Sequence, residues 1–388
     1  MKTRVAPAQA PQADVALETE LVRIALKAAE HHPILKAVYM APEEWLEEAR
    51  RDPGRPDRLA GEAADLASRA SAAGHEYVAG QARSVAVQLE VKQGRVLPYE
   101  EMIAALLGVE LEPVDSDSTA RLRDEVVELA RADVARWERE RVISGEAKWD
   151  AAMATYAAGR RYVFGGAFPI PVDENLELIR ITEELWSVNL SWYPPRRMTC
   201  EVNVATPRTP ETVSFEVAHN IYPGDYLHLA VLQQHTYAKR GHVAASIKLK
   251  NAPESVISEG IEETALLRLL PAPSPDQVLA CKLEWLRRIA TFEGSLALQA
   301  EGRGEREVLA TMARDGFMDG ARAAFQLRLI KHPLWGPYQY TYILGRKLVE
   351  EADRRCAGAD QVAYMDYLYG GLHTPQTFLR DLETIAGT

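Results

Sequence analysis

The residues best suited to chemistry lie close together in the sequence. His219-Asn220-Ile221-Tyr222-Pro223-Gly224-Asp225-Tyr226-Leu227-His228 forms one segment, and Glu259 follows in Ser258-Glu259-Gly260. Imidazole and carboxylate are the side chains that hold zinc and related divalent ions. A helix of HExxH type uses two histidines one turn apart, with the glutamate as base. No HExxH occurs here. A ligand set would have to be assembled from His219, Asp225 and Glu259, with His228 as the next choice. On an unbroken helix His219 and His228 would point about 180° apart, so joint ligation needs a bend, and Pro223-Gly224 can supply one.

Each of these residues also has a plainer reading. His219 is equally readable as a hydrogen-bonded core histidine. Glu259 stands near Glu262 and Glu263 and could be surface charge, although the apolar context of Ser258-Glu259-Gly260 favours a buried, partnered carboxylate. Arg346 could grip a ligand carboxylate through both its nitrogens, but pairing with Glu350 one turn on is the default. His235 and His242 flank Lys239-Arg240-Gly241 and suit a helix end, where cations meet the negative pole of the dipole.

The elements that must position this segment read as helices. Residues 1–14 are rich in Ala, Pro and Gln and suggest a loose tail. Leu17 to Glu30, a start at Pro42-Glu43, one or two Ala-rich helices across Gly61 to Lys92, and a short helix over Glu100 to Leu107 follow at helical spacing. Asp115 to Ser118 offer an N-cap for a helix from Thr119 to Ser144, whose Arg/Glu alternation marks a solvated face. Phe164 to Pro169 breaks the helical run, and a strand pair or edge strand is expected near residues 186–206. After Pro271 to Pro275, helices are expected over Asp276 to Leu298 and Glu305 to Ile330, with a last pair divided at Gly358 to Asp360. The expected organisation is a tail over 1–14, an N-terminal helical lobe over 15–148 and a functional lobe over 149–388.

With 388 residues, 47% hydrophobic and 26% charged, the chain has the composition of a folded protein with a large core. A formal charge of -11 makes phosphate backbones and anionic lipid poor partners. The N-terminus has no signal-like apolar run and no stretch suits a membrane span, so a cytoplasmic setting without membrane or nucleic-acid partners is expected. Cys200, Cys281 and Cys356 lie far apart and suggest neither disulfides nor a thiolate metal site. No dinucleotide, P-loop or nucleophile-elbow motif occurs in a suitable frame. Oligomeric state is not readable.

Three stretches carry a resemblance: Val188-Asn189-Leu190-Ser191-Trp192-Tyr193 through Asn203, then Ala218 to Gly224, then Pro253 to Ile261. In these the chain resembles a little-characterised bacterial family of helical, zincin-like metallopeptidases with an HExxPGHH segment and a downstream SEG motif. Weaker likeness touches His31 to Pro42, Leu97 to Val109, Pro337 to Gly345 and Gly371 to Pro375. The resemblance implies a mainly α, multi-helix fold of gluzincin type. It also implies a divalent metal such as zinc or iron, and a small amide, peptide or amino-acid-derived substrate. It places Asn220 where a base glutamate is expected and Asp225-Tyr226 where a histidine pair is expected.

Asn cannot take a proton from water. The implied chemistry is therefore altered, as cyclisation, elimination or rearrangement, or else Asp225 is the base. A metal-free pseudo-peptidase acting as a binding or partner protein is the alternative. The resemblance further brings Tyr342 near the site as a donor to a developing oxyanion, though an aromatic core helix explains it as well. It also offers Asn203 on the edge strand, Tyr226, Gln339 and Arg346 as substrate contacts.

Overall fold

The computed structural model describes residues 12–31, 38–40, 43–183, 186–193 and 197–386. The described residues are mainly helical, as the sequence leads one to expect, with a three-stranded mixed sheet and a two-stranded antiparallel one. It opens with α1 (Gln12–His31), a two-residue strand β1 (Val38–Tyr39), α2 (Glu43–Arg51), α3 (Pro56–Ala72), α4 (Glu76–Lys92) and α5 (Tyr99–Leu107). Then come α6 (Ser116–Leu129), α7 (Val134–Arg141), α8 (Gly145–Phe164), and the strands β2 (Leu176–Ile181), β3 (Val188–Tyr193) and β4 (Arg197–Asn203). The second half holds α9 (Pro210–Asn220), α10 (Asp225–Val231), β5 (Ile247–Lys248), α11 (Pro253–Leu269) and α12 (Pro275–Gln299). It closes with α13 (Glu305–Asp315), α14 (Gly320–Ile330), α15 (Trp335–Arg355), α16 (Gln361–Gly370) and α17 (Pro375–Ala386).

Several boundaries differ from the pattern-based expectation, each for a local reason. Residues 12–14 belong to α1, and the rest of the expected tail lies outside the described residues. The helix expected over Thr119 to Ser144 is two helices, because Arg131 and Ala132 take positive φ of 53° and 68° and Asp133 then caps α7 by accepting from the Arg136 amide. Left-handed backbone at non-glycine residues ends a helix however good the flanking periodicity. Similarly, Glu305 to Ile330 divides at Gly316, and the Asp319 side chain restarts the chain as α14. The strand pair expected near 186–206 is present as β3–β4, antiparallel with Val188 opposite Val202. β2 was not foreseen and lies parallel on the other side of β4, with Leu176 opposite Met198. The sheet order is β2-β4-β3, which leaves β3 at an edge.

Two large apolar clusters hold these elements. The main one joins α5, α8, α9, α10, α15, α16 and the inner faces of β4 to α11. The other is built mostly of alanine and leucine from α1, α3 and α4, closed by Ala244, Ile247, Leu249 and Ala252 around β5. α11 lies between them and is buried on nearly all sides, so it has no solvent stripe. It meets α15 backbone to backbone. A Cβ added at Gly260 would fall 2.2 Å from the Gly345 carbonyl oxygen, and one at Gly345 would fall 2.0 Å from that of Val256.

Candidate functional site

α9 starts at Pro210 behind Thr209, whose hydroxyl accepts from the Thr212 amide, and it presents His219 in its last turn. At Ile221 the chain leaves the helix. The Gly224 amide turns back to the Ala218 carbonyl at 3.0 Å, and a Cβ at Gly224 would sit 1.9 Å from the His219 carbonyl oxygen. Only glycine permits that reversal. Asp225 then begins α10. α11 contributes Glu259, Glu262 and Glu263, spaced i, i+3 and i+4 on one helical face.

These residues converge. His219 Nε2 stands 3.1 Å from Glu262 Oε2 and 3.6 Å from Glu259 Oε2, while its Nδ1 is 3.5 Å from Glu263 Oε1. One ligand atom each from His219, Glu259 and Glu262 can be chosen so that all lie within 4.8 Å of one another. Cations surround the acids. Lys248 Nζ, 1% exposed, donates to Asp225 Oδ1 at 2.7 Å and to Glu262 Oε1 at 2.8 Å. Lys250 Nζ lies 3.5 Å from Glu259 Oε1, which also accepts a hydrogen bond from the Tyr338 hydroxyl. Arg288 reaches Glu263 Oε1 at 3.0 Å. Among the described residues, Glu259 Oε2, Glu263 Oε2 and His219 Nδ1 are buried without a hydrogen-bond partner.

The electrostatics follow from this crowding. Burial works against charge on Glu259 and Asp225, but it is outweighed: Lys250, His219 and Lys248 hold Glu259 down, and Lys248 and Lys250 hold Asp225 down. Glu262 is pushed up by burial and by the charges of Asp225 and Glu259. His219 is raised although burial opposes it, because Glu262 bonds to it and Glu262, Glu263 and Glu259 surround it. Both shifts favour keeping a proton between His219 Nε2 and the Glu262 carboxylate.

The cluster forms the floor of a cleft of about 1130 Å³, which Asn220 and Tyr342 also line. β3 gives one wall, and α12 and α14 give the other with Arg287, Arg288 and Arg322. Of the residues singled out in the sequence, His219, Asn220, Asp225, Glu259 and Tyr342 share this cleft. Asp225 joins the trio only through Lys248.

The others lie elsewhere. His228 is buried against Tyr369 with Nδ1 unpartnered among the described residues, and burial first, then Lys248, lowers it to about 3. The Asn203 carbonyl accepts from Lys148 at 2.7 Å, and its side chain accepts from the Ala205 amide at 3.0 Å. The Tyr226 hydroxyl accepts from the Asn175 amide at 2.6 Å, and Gln339 bonds back to the Trp335 carbonyl at 3.1 Å. Arg346 pairs with Glu350 at 2.7 Å over the Trp285 ring. Glu262, Lys248, Lys250, Tyr338 and Arg288 were not foreseen. The i, i+3 spacing of Glu259 and Glu262 and the alternation in Ile247-Lys248-Leu249-Lys250 are the signals that could have found the first three.

No family model matches the chain, and no curated protein matches it. Solved structures that share its fold include the following two. A "putative lipoprotein" from Colwellia psychrerythraea aligns with a TM-score of 0.60 at 15% identity, over 96% of this chain and 72% of that one. A lipoprotein so described, "of unknown function", from Shewanella oneidensis aligns with a TM-score of 0.55 at 13% identity, over 95% and 73%.

These matches overturn the metallopeptidase kinship, and with it the reading of the chain as a repurposed peptidase or a pseudo-peptidase, because the chains that share the fold along nearly its whole length are not described as peptidases. The local geometry gives a physical reason. α9 ends at Asn220, so the one-turn histidine spacing of an HExxH helix is never built, and the Asn220 amide is spent on the Glu216 carbonyl at 2.8 Å. No helix among the described residues is long and apolar enough to cross a membrane.

Proposed function

We propose that the chain binds a divalent metal ion on the floor of the cleft through His219, Glu259 and Glu262, and holds a small-molecule ligand above it. The observation that carries this reading is the convergence of one imidazole and two carboxylate atoms within 4.8 Å, with Glu259 Oε2 making no hydrogen bond among the described residues. A buried carboxylate oxygen without a partner costs about 1–3 kcal/mol, more when charged, and a cation at that point removes the cost. One nitrogen and two oxygens suit zinc, iron(II) or manganese(II) better than the oxygen-only shell of calcium.

The supporting groups fit the same reading. Lys248 holds the other oxygen of Glu262, and Tyr338 holds that of Glu259, so both acids are oriented from behind. Asp225 serves by anchoring Lys248. Tyr342 and Asn220 line the space that the ligand would fill. The three cysteines, free and buried, support a cytoplasmic setting.

Elemental analysis of protein purified without chelator and dialysed against manganese or zinc tests the proposal. About one ion per chain is expected, lost in His219→Ala and weakened in Glu262→Gln. Wild-type protein that retains no ion would leave the trio as an ion-pair cluster and end the proposal.

A further inference from the structure

The floor of the cleft carries a charge balance that a metal would reverse. Asp225, Glu259, Glu262 and Glu263 face Lys248, Lys250 and Arg288. Four carboxylates against three cations leave one negative charge when His219 is neutral. A divalent ion turns that into one positive charge, inside a cleft whose α12–α14 wall carries Arg287 and Arg322 already paired with Glu138 and Glu284.

The groups nearest the trio also have unused donors. The Arg288 guanidinium lies 3.8 Å from the centre of the Tyr342 ring, which fixes its plane. It gives Nε and Nη2 to Glu263 Oε1, each at 3.0 Å, and Nη1 has no partner among the described residues. The Tyr342 hydroxyl likewise makes no hydrogen bond among the described residues, and both side chains line the cleft. Lys250, its side chain 29% exposed, stands beside Glu259 in the same lining. Further out the cleft turns apolar at Val142 and Trp186, which are 47% and 38% exposed.

We infer that the ligand of this cleft is a small organic anion whose carboxylate or phosphate is received by Arg288, Tyr342 and Lys250 beside the metal position, with its apolar part toward Trp186. A planar guanidinium with a free edge, backed by an aromatic ring and flanked by a phenol and an ammonium, is the donor set that an oxyanion needs. The inference rests on the cation reading in one respect: metal loading should strengthen anion binding, and by linkage the anion should strengthen metal binding by the same factor.

Calorimetric titration of the full chain tests it, using benzoate, its neutral counterpart benzamide, and inorganic phosphate. Each is run on chelator-treated protein and on protein loaded with manganese and desalted. Saturable binding of benzoate or phosphate but not benzamide is expected, weakened about tenfold or more in Arg288→Met. Because Arg288 also neutralises the buried Glu263, Tyr342→Phe is the second variant. It removes only a hydroxyl and should weaken the anion without lowering the melting temperature.

Preference between benzoate and phosphate identifies the anion class. Equal affinity for benzamide, affinity unchanged in both variants, or no binding of either anion overturns the inference. The two proposals separate cleanly. Anion binding by protein that retains no ion after manganese loading upholds this subsite while ending the cation reading, whereas a retained ion with no anion binding does the reverse.

Discussion

Glu254 shows how far a single carboxyl in this protein departs from its ordinary behaviour. It opens α11, is 4% exposed, and accepts from the Tyr77 hydroxyl at 2.7 Å and from Gln81 at 3.1 Å. Burial pushes it up to about 7, against the partial opposition of Tyr77, Lys248 and Gln81. A carboxyl raised in the folded state binds its proton more tightly there than in the unfolded chain. Its contribution is therefore fully present below its ordinary value near 4.5 and is lost as the pH climbs through 7. Wild-type stability should fall between pH 5 and 8 by an amount on the order of 3 kcal/mol that Glu254→Gln abolishes. Urea unfolding of both proteins across that range measures it, and parallel curves would show that Glu254 is ionised throughout.

The same scale shows what residue types alone disclose. His219 and Glu259 stand out because they are ligand types in an apolar setting, and the cleft indeed brings them together. Glu262 and Glu263 register only as neighbours that give Glu259 a surface-charge reading, because composition does not reveal that α11 is covered on all sides. Arg288 is beyond any local pattern, since only the packing of α12 brings it to Glu263.

At the level of elements, the tightest constraint is the crossing of α11 and α15. Gly260 and Gly345 let the two backbones approach so closely that either Cβ would meet a carbonyl oxygen. Gly345→Ala should cost roughly 1–3 kcal/mol or more, because neither partner atom belongs to a movable side chain. Gly61 lies inside α3 with nothing within 4 Å of its added Cβ, so Gly61→Ala should instead stabilise by about 0.5–1 kcal/mol. Thermal unfolding of the pair checks the contrast, and similar effects would mean that the two helices can slide apart.

Element types were largely legible from periodicity, whereas several breaks were not. The α6–α7 break depends on left-handed backbone at Arg131 and Ala132, residues that give no turn signal. β2 was missed because a short strand beginning Leu176-Glu177-Leu178 resembles a helical turn as much as a strand, and its pairing with β4 is a tertiary fact.

For the molecule as a whole, the proposed ion would act as a ligand of the native state alone. Metal at about a hundred times its dissociation constant should add about 2.7 kcal/mol of stability, raising the melting temperature by a few degrees. The gain should vanish in His219→Ala. A scan of wild-type protein unmoved by manganese and zinc would show that the folded chain gains nothing from them. The likeness to the two lipoproteins extends over nearly the whole chain at 15% and 13% identity, so the architecture outlasts almost all of its side chains.

The enclosure of α11 has one more consequence. A helix that carries Glu259, Glu262 and Glu263 into the interior, besides Glu254, cannot seal those three before the lysines of the β5 turn and the arginine of α12 arrive, because each of them left charged and alone in a dry environment would be prohibitively costly. These charges must be dehydrated together. An exchange that spares the fold here must therefore replace an acid and its counterion in step.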